Sequence, residues 1–302
     1  MACIIAAPSS GSGKTILSLV LTAWAQNIGT GIQPFKIGPD YLDSQLLSAV
    51  SKRTCRNLDL ILCNKSWVNN CFHNYGSATE FALIEGVMGL FDGIGSSSKG
   101  STAAIAKQLN LPIVLTINAR GQAASLAALV KGFLNQDSSL KISGVVVNQV
   151  NSERHKELLK EVLDSINVKM LGSLPTDPQL VLPSRHLGLI PADEIKDLET
   201  RISSWIQIAK KNLDLSSFKE LLQAPKDTTS SYHQNNGMNN NKTLREYPIA
   251  IAQDKAFHFR YPEVKECLQS IGMPIIDWRP TEDEPIPKEA NGLIIPGGFP
   301  EQ

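Results

Sequence analysis

Pro8-Ser9-Ser10-Gly11-Ser12-Gly13-Lys14-Thr15 follows the apolar run at residues 2–7 and opens the apolar helical pattern of residues 16–25. A strand ends, a glycine loop turns and a helix begins. In that order, successive backbone N–H groups converge on one concavity at a helix N-terminus, where Lys14 reaches a terminal phosphate and the Thr15 hydroxyl joins a magnesium shell. The expected ligands are ATP and Mg2+, cradled by Ser10, Gly11, Ser12, Gly13, Lys14 and Thr15. The usual pattern has a glycine five residues before Gly13. Pro8 stands there, so the loop is a variant that keeps the Gly-x-Gly-Lys-Thr core.

Outward from this loop, short Val/Ile/Leu-rich runs alternate with helical patterns. Strands are expected at residues 2–7, 33–36, 81–85, 113–117, 142–147 and, more weakly, 169–171. Helices are expected at 14–26, 44–51, 101–109, 123–134, 153–165 and 192–211. Continuous apolar runs of four to six residues mark strands buried on both faces, so the fold class is α/β, a doubly wound parallel sheet of the P-loop NTPase type. Residues 1–223 make up this first domain. Residues 224–246 are polar, nearly free of aliphatics and read as a flexible linker. The α/β rhythm restarts over 247–302, with strands at 249–252, 274–277 and 292–295 and a helix at 262–270. A β-α-β unit alone takes about thirty residues, so this second domain is expected to be incomplete and to dock on the first or pair with something else.

Composition narrows the function. At 302 residues the chain has room for two domains, and 42% hydrophobic with 19% charged residues describes an ordinary globular protein. Lys plus Arg equals Asp plus Glu at 29 each, so no bulk field favours nucleic acid or an anionic membrane. With no apolar stretch of membrane-spanning length and no leader pattern, a cytoplasmic address is expected. Five scattered cysteines are expected to be reduced, and the spacing of Cys63, Cys71 and His73 fits no zinc pattern.

In open α/β sheets the chemistry gathers in loops after the strand C-termini. The segment Phe35-Lys36-Ile37-Gly38-Pro39-Asp40-Tyr41-Leu42-Asp43 puts a cation, two carboxylates and a tyrosine on one tight loop, with Asp43 or Ser44 expected to cap the next helix. The run 81–85, read as the third strand and a central one, ends in Glu85. A carboxylate there, facing the phosphate loop, is the first choice for holding magnesium together with Thr15. Glycines at 86, 89, 93 and 95 allow close backbone approach. Asn148 ends the run read as the fifth strand, where it either reads an adenine edge or caps a helix.

Together these residues resemble the cobyrinic acid a,c-diamide synthase family. The matching stretches are Ser10 to Thr15, Phe35 to Asp43, Asn57-Leu58-Asp59, Glu85-Gly86-Val87-Met88-Gly89-Leu90-Phe91-Asp92-Gly93, Arg185-His186-Leu187-Gly188-Leu189 and Pro296-Gly297-Gly298-Phe299-Pro300-Glu301, in family order. The resemblance implies a dethiobiotin-synthetase-like ATP domain followed by a class I glutamine amidotransferase domain. ATP would phosphorylate a carboxylate of cobyrinate or a related tetrapyrrole, and ammonia would displace the phosphate, a step in cobalamin biosynthesis. Carried over by position, Lys36, Asp40, Asp43, Glu85 and Asp92 are catalytic, and Tyr41, Leu42, Arg185 and His186 handle substrate. Family members continue to a nucleophilic cysteine and a histidine beyond the Gly-Gly-Phe-Pro-Glu segment. The expectation is therefore a truncated amidotransferase domain without glutaminase activity, fed by free ammonia or a partner glutaminase. A homodimer is a further expectation, since such folds commonly form one. The competing readings are a nucleotide-switched ATPase, an inactive remnant, and amidation of hydrogenobyrinate or nickel-sirohydrochlorin.

Overall fold

The computed structural model describes residues 2–185, 188–226 and 247–300. Seven strands, β1 (Cys3–Ala6), β2 (Ile32–Ile37), β3 (Arg56–Leu58), β4 (Phe81–Glu85), β5 (Ile113–Asn118), β6 (Ile142–Asn148) and β7 (Met170–Leu174), form one sheet in the order β3-β2-β4-β1-β5-β6-β7. Every pairing in it is parallel. The connecting helices are α1 (Lys14–Asn27), α2 (Tyr41–Ser51), α3 (Lys65–Gly76), α4 (Thr102–Leu109), α5 (Ser125–Gln136) and α6 (Glu153–Asp164), followed by α7 (Leu198–Asn212) and α8 (Leu215–Leu221).

Side chains alternate across a strand, so each strand feeds two cores. Ile4, Ala6, Phe35, Ile37 and Ile84 pack on one face with Phe72 of α3, Ile105 of α4, Leu126 of α5 and Leu159 of α6. Cys3, Ile5, Leu83 and Val114 pack on the other with Leu21 of α1, Leu47 of α2, Trp205 of α7 and Phe218 of α8. Burial on both faces is the physical reason the strands read as unbroken apolar runs. Because β1 lies between β4 and β5, the loop after it opens at the middle of the sheet, next to the end of β4.

The structure adds elements that the sequence pattern did not signal. β3 is three residues long and carries Arg56 and Asn57, and its strand character comes from pairing with Phe35, Lys36 and Ile37 of β2. The strand ending in Glu85 is accordingly the fourth, and the one ending in Asn148 the sixth. The helix expected at 192–211 starts at Leu198, after a 3-10 turn at Ala192–Glu194. Two short strands, β8 (Ser184–Arg185) and β9 (Gly188–Leu189), pair antiparallel.

The chain divides into two compact units, residues 1–228 and 229–302. Residues 224–226 belong to the first, where the Ala224 N–H donates to Glu80 O at 2.9 Å. In the second unit β10 (Ile249–Ala252), β11 (Phe257–Phe259), α9 (Pro262–Ser270), β12 (Ile275–Trp278), β13 (Gly292–Ile294) and β14 (Gly297–Gly298) follow one another. β12, β10 and β13 make a parallel three-stranded sheet in that order, and β11 pairs antiparallel with β14. Its small core holds Ala250, Ile251, Ala252, Ala256 and Phe299. No helix among the described residues is long and apolar enough to cross a membrane.

Candidate active site

The loop after β1 is shaped by glycine. Gly11 and Gly13 hold positive φ of 76° and 108°, and Gly13 occupies the N-cap position of α1. A Cβ on Gly13 would press on the Asn148 side-chain amide and lie 3.3 Å from Thr116 Cγ2, so a larger residue there would have to displace Asn148 and strain the backbone. No side chain caps α1 and its first turn holds no acid, whereas Asp40, Asn64, Ser101 and Ser152 cap α2, α3, α4 and α6. The leading N–H groups of α1 are therefore left for an anion. Lys14 Nζ donates to Met88 O at 2.6 Å and to Ser9 O at 3.3 Å, which bridges this loop to the one after β4. Burial and the neighbouring Lys36 hold the Lys14 pKa below its ordinary value.

Asn148 does not cap a helix, because Ser152 caps α6 by accepting from the His155 N–H. Its Nδ2 instead donates to Ser12 O at 3.1 Å, and its Oδ1 accepts from the Gln149 N–H at 2.9 Å. The end of β6 thereby braces the phosphate loop.

The acids of the second loop do not lie as a simple turn. Asp40, and not Asp43 or Ser44, is the N-cap of α2, accepting from the Asp43 N–H at 3.2 Å. The helix thus starts at Tyr41, which puts Asp43 in its first turn, facing the sheet. Lys36, at the end of β2, donates to Asp43 Oδ2 at 2.6 Å, to Glu85 Oε1 at 2.9 Å and to Gly86 O at 3.2 Å, with Asp40 Oδ2 at 3.5 Å. Thr15 Oγ1 closes the group, donating to Glu85 Oε1 at 2.7 Å and lying 3.4 Å from Asp43 Oδ2. The cluster is buried, with Lys36 at 2% exposure and Glu85 at 0%.

Such burial has electrostatic consequences. Burial alone would lower Lys36, but Glu85, Asp43 and Asp40 overturn that and keep it charged, above its ordinary pKa. Burial pushes Glu85 up to about 8 against the pull of Lys36. Asp43 moves the other way: Lys36 and hydrogen bonds to its carboxylate outweigh burial and hold it at about 2. Burial raises Asp40, and the Lys36 charge only partly offsets it.

The loop after β4 is packed onto the phosphate loop. The Gly86 N–H donates to Ile5 O and the Leu90 N–H to Ala7 O, each at 2.8 Å. A Cβ on Gly89 would come within 2.6 Å of Pro8 O. Asp92 Oδ2 accepts from the Gly89 N–H at 2.8 Å, so Asp92 pins its own loop and stands outside the Lys36 cluster, although its charge reaches Lys14. Tyr41 is half-buried and Leu42 buried at the start of α2. Arg185 lies in β8, and His186 lies outside the described residues. Two organising residues were not assigned a role from sequence. Asn57 Nδ2 donates to Gly38 O at 2.8 Å and to Asp40 O at 3.3 Å, and the Thr102 hydroxyl bonds both the N–H and the carbonyl of Val87. The available signal for the first was the family-matching stretch Asn57-Leu58-Asp59.

The donor set suits magnesium. Thr15 Oγ1, Glu85 and Asp43 supply hard oxygens, and Glu85 Oε2 is buried with no hydrogen-bond partner among the described residues. No group of three or more His, Cys, Asp or Glu side chains among the described residues is arranged to hold a metal. Any magnesium here would complete its shell from phosphate and water.

Residues 3–190 match the family model described as CbiA, the CobQ/CobB/MinD/ParA nucleotide binding domain. The cobyrinate a,c-diamide synthase of a Synechococcus strain is 40% identical over the whole chain, which covers 66% of that relative. The synthase of that name from Caldanaerobacter subterraneus is 38% identical over 99% of this chain and 65% of its own length. A hydrogenobyrinate a,c-diamide synthase from Mycobacterium bovis is 33% identical over 99% of this chain and 66% of its own length. The chain thus spans just under two thirds of these relatives. Among solved structures, the septum site-determining protein MinD of Pyrococcus horikoshii, complexed with Mg-ADP, aligns with 72% of this chain and 99% of its own at 18% identity and a TM-score of 0.44. With a glycine loop at the head of an all-parallel seven-stranded sheet and a family match over most of the first unit, the chain belongs to the CbiA family of nucleotide-binding domains, on the branch whose curated relatives are a,c-diamide synthases.

Proposed function

We propose that the chain is the ATP-dependent amide-forming part of a cobyrinate a,c-diamide synthase. The observation that carries the reading is the convergence of Lys36, Asp43, Glu85 and Thr15 beside the uncapped N-terminus of α1. A free carboxylate resists attack by ammonia because its leaving group would be oxide. In the proposed reaction a carboxylate oxygen of the ring attacks the γ-phosphorus of ATP and ADP departs. Ammonia then adds to the acyl carbon and phosphate departs with the oxygen, leaving the amide.

The residues take roles suited to that sequence. The N–H groups of residues 11–15 and Lys14 hold the triphosphate, and Lys14 must leave Met88 O to do so. Thr15 and Glu85 would hold Mg2+, which when bound neutralises phosphate charge. Lys36 faces the negative charge that develops during phosphoryl transfer, and Asp40 and Asp43 orient it. Asn148 fixes the loop through Ser12 and is proposed to read the base. Tyr41, Leu42, Arg185 and His186 are proposed for the tetrapyrrole, and Asp92 for positioning the loop after β4. The nucleophile proposed for the second step is ammonia.

Product masses test the reading. The purified chain with cobyrinate, ATP, Mg2+ and ammonium is expected to yield the diamide, and the same assay with glutamine in place of ammonium reads which amine donor it uses. Absence of product with ammonium would reject the assignment. Substituting hydrogenobyrinate in the same assay decides the ring.

A further inference from the structure

Lys36 Nζ is ringed by oxygen: Asp43 Oδ2 at 2.6 Å, Glu85 Oε1 at 2.9 Å, Gly86 O at 3.2 Å and Asp40 Oδ2 at 3.5 Å. The first two are also the oxygens that Thr15 Oγ1 approaches, at 3.4 and 2.7 Å. Glu85 Oε2 apart, the oxygens suited to a divalent ion beside a bound triphosphate are therefore ones the ammonium already uses. A doubly charged cation competes for them with the buried ammonium, because the two positive charges would stand a few ångströms apart with little water to screen them. The ammonium cannot simply leave, since a buried charge without a partner is costly. The alternative partner lies close by. Thr15 belongs to the first turn of α1, whose N-terminus no side chain caps, so an anion held there arrives beside the cluster.

We propose that Lys36 is a built-in counter-cation that keeps the divalent-ion site closed in the nucleotide-free protein, and that a divalent ion enters only when a triphosphate offers the ammonium another anionic partner. The device makes metal and nucleotide binding mutually dependent, with Lys36 setting the size of the coupling. It also delivers the ammonium to the terminal phosphate at the moment the metal arrives. This inference rests on the nucleotide-and-metal part of the proposed function and on nothing about the tetrapyrrole.

Mn2+ is the probe, with free ion followed by its electron paramagnetic resonance signal in solutions of the full chain without nucleotide. Wild type is expected to bind Mn2+ weakly. Lys36→Met is expected to bind it roughly 10- to 100-fold more tightly, and Lys36→Arg, which keeps the charge, no more tightly than wild type. Adding a non-hydrolysable ATP analogue should raise Mn2+ affinity more in wild type than in Lys36→Met. Wild type that binds Mn2+ without nucleotide as tightly as Lys36→Met overturns the proposal. Because Lys36→Met leaves buried acids unpaired and can fail to fold, a second measurement uses wild type alone. The 15N resonance of the Lys36 ammonium should shift when Mg2+ and the analogue are added together and stay in place with Mg2+ alone, and a shift with Mg2+ alone likewise overturns the proposal. The Mn2+ measurement needs neither substrate nor turnover, so its failure and a failure of the amidation assay are read separately.

Discussion

Lys36–Asp43 in the first unit and Lys265–Asp277 in the second are ion pairs of nearly equal length, 2.6 and 2.7 Å. The first sits under a sheet covered by helices on both faces, with the Lys36 side chain 2% exposed. The second joins α9 to β12 with its side chains 28% and 51% exposed. Water and salt screen the exposed pair, which contributes ~0–1 kcal/mol. The buried pair cannot relax into solvent, so the acids around it shift their pKa values in opposite directions. The same contrast runs through the hydrophobic residues: β1 is buried at every position, whereas β13 leaves Leu293 43% exposed. Perturbed chemistry needs a scaffold that excludes water, and the first unit supplies one.

The largest expected effect is on turnover. Glu85→Ala should lower the rate of the proposed ATP-dependent amidation by about 10²- to 10³-fold, as expected when a preorganised charge partner of the reaction is removed. Asp277→Ala, cutting the exposed pair, should change stability by no more than ~1 kcal/mol. A Glu85→Ala chain running at the wild-type rate would remove the residue from the site and erase the contrast.

Packing should follow the same division. Trp205 is fully buried on α7 and its Nε1 donates to Gln179 O at 2.8 Å, so Trp205→Ala should destabilise the first unit by ~3–5 kcal/mol. Leu293→Ala, at a half-open position, should cost ~1 kcal/mol or less. Urea midpoints of the two variants measure the difference, and equal losses would mean that Leu293 is covered in solution.

Thiol labelling gives a graded version without mutation. Cys3 and Cys55 are fully buried, and burial pushes the Cys3 thiol up to about 12 and Cys55 higher still. Cys267 is exposed. An aromatic disulfide reagent should modify Cys267 at once and reach Cys3 and Cys55 only on unfolding.

A pH slope is expected as well. Glu85 has a folded pKa of about 8 against 4.5 for the free side chain. A raised carboxyl favours the folded state fully below the unfolded value, and that contribution is lost as pH rises from 4.5 through 8. Without nucleotide or metal, the urea midpoint of the first unit should therefore fall over that range, and Glu85→Gln should flatten the fall. An unchanged slope in the variant would assign it elsewhere.

Much of this was legible in the residues. The phosphate loop and α1 could be read because turn chemistry and helical periodicity are local, and β4, β5 and β6 because strands buried on both faces leave continuous apolar runs. β3 escaped because Arg56 and Asn57 are polar. Register against β2 makes them a strand, and Arg56 finds the Tyr75 ring 3.9 Å away. The cap of α2 was read too late, at Asp43 or Ser44, because several residues of the loop have capping side chains and only the backbone path shows that Asp40 has the extended conformation.

By itself the sequence determined the alternation of strands and helices, the glycines at 11 and 13, and the set of side chains available at the strand ends. Those follow from interactions a few residues long. Tertiary structure alone decided the partnerships: Lys36 with Glu85, 49 positions apart, and Asn148 with Ser12, 136 apart. The reason is geometric. Strand order brings the ends of β2, β4 and β1 side by side, and burial at that meeting point turns a lysine, two acids and a threonine into one electrostatic unit.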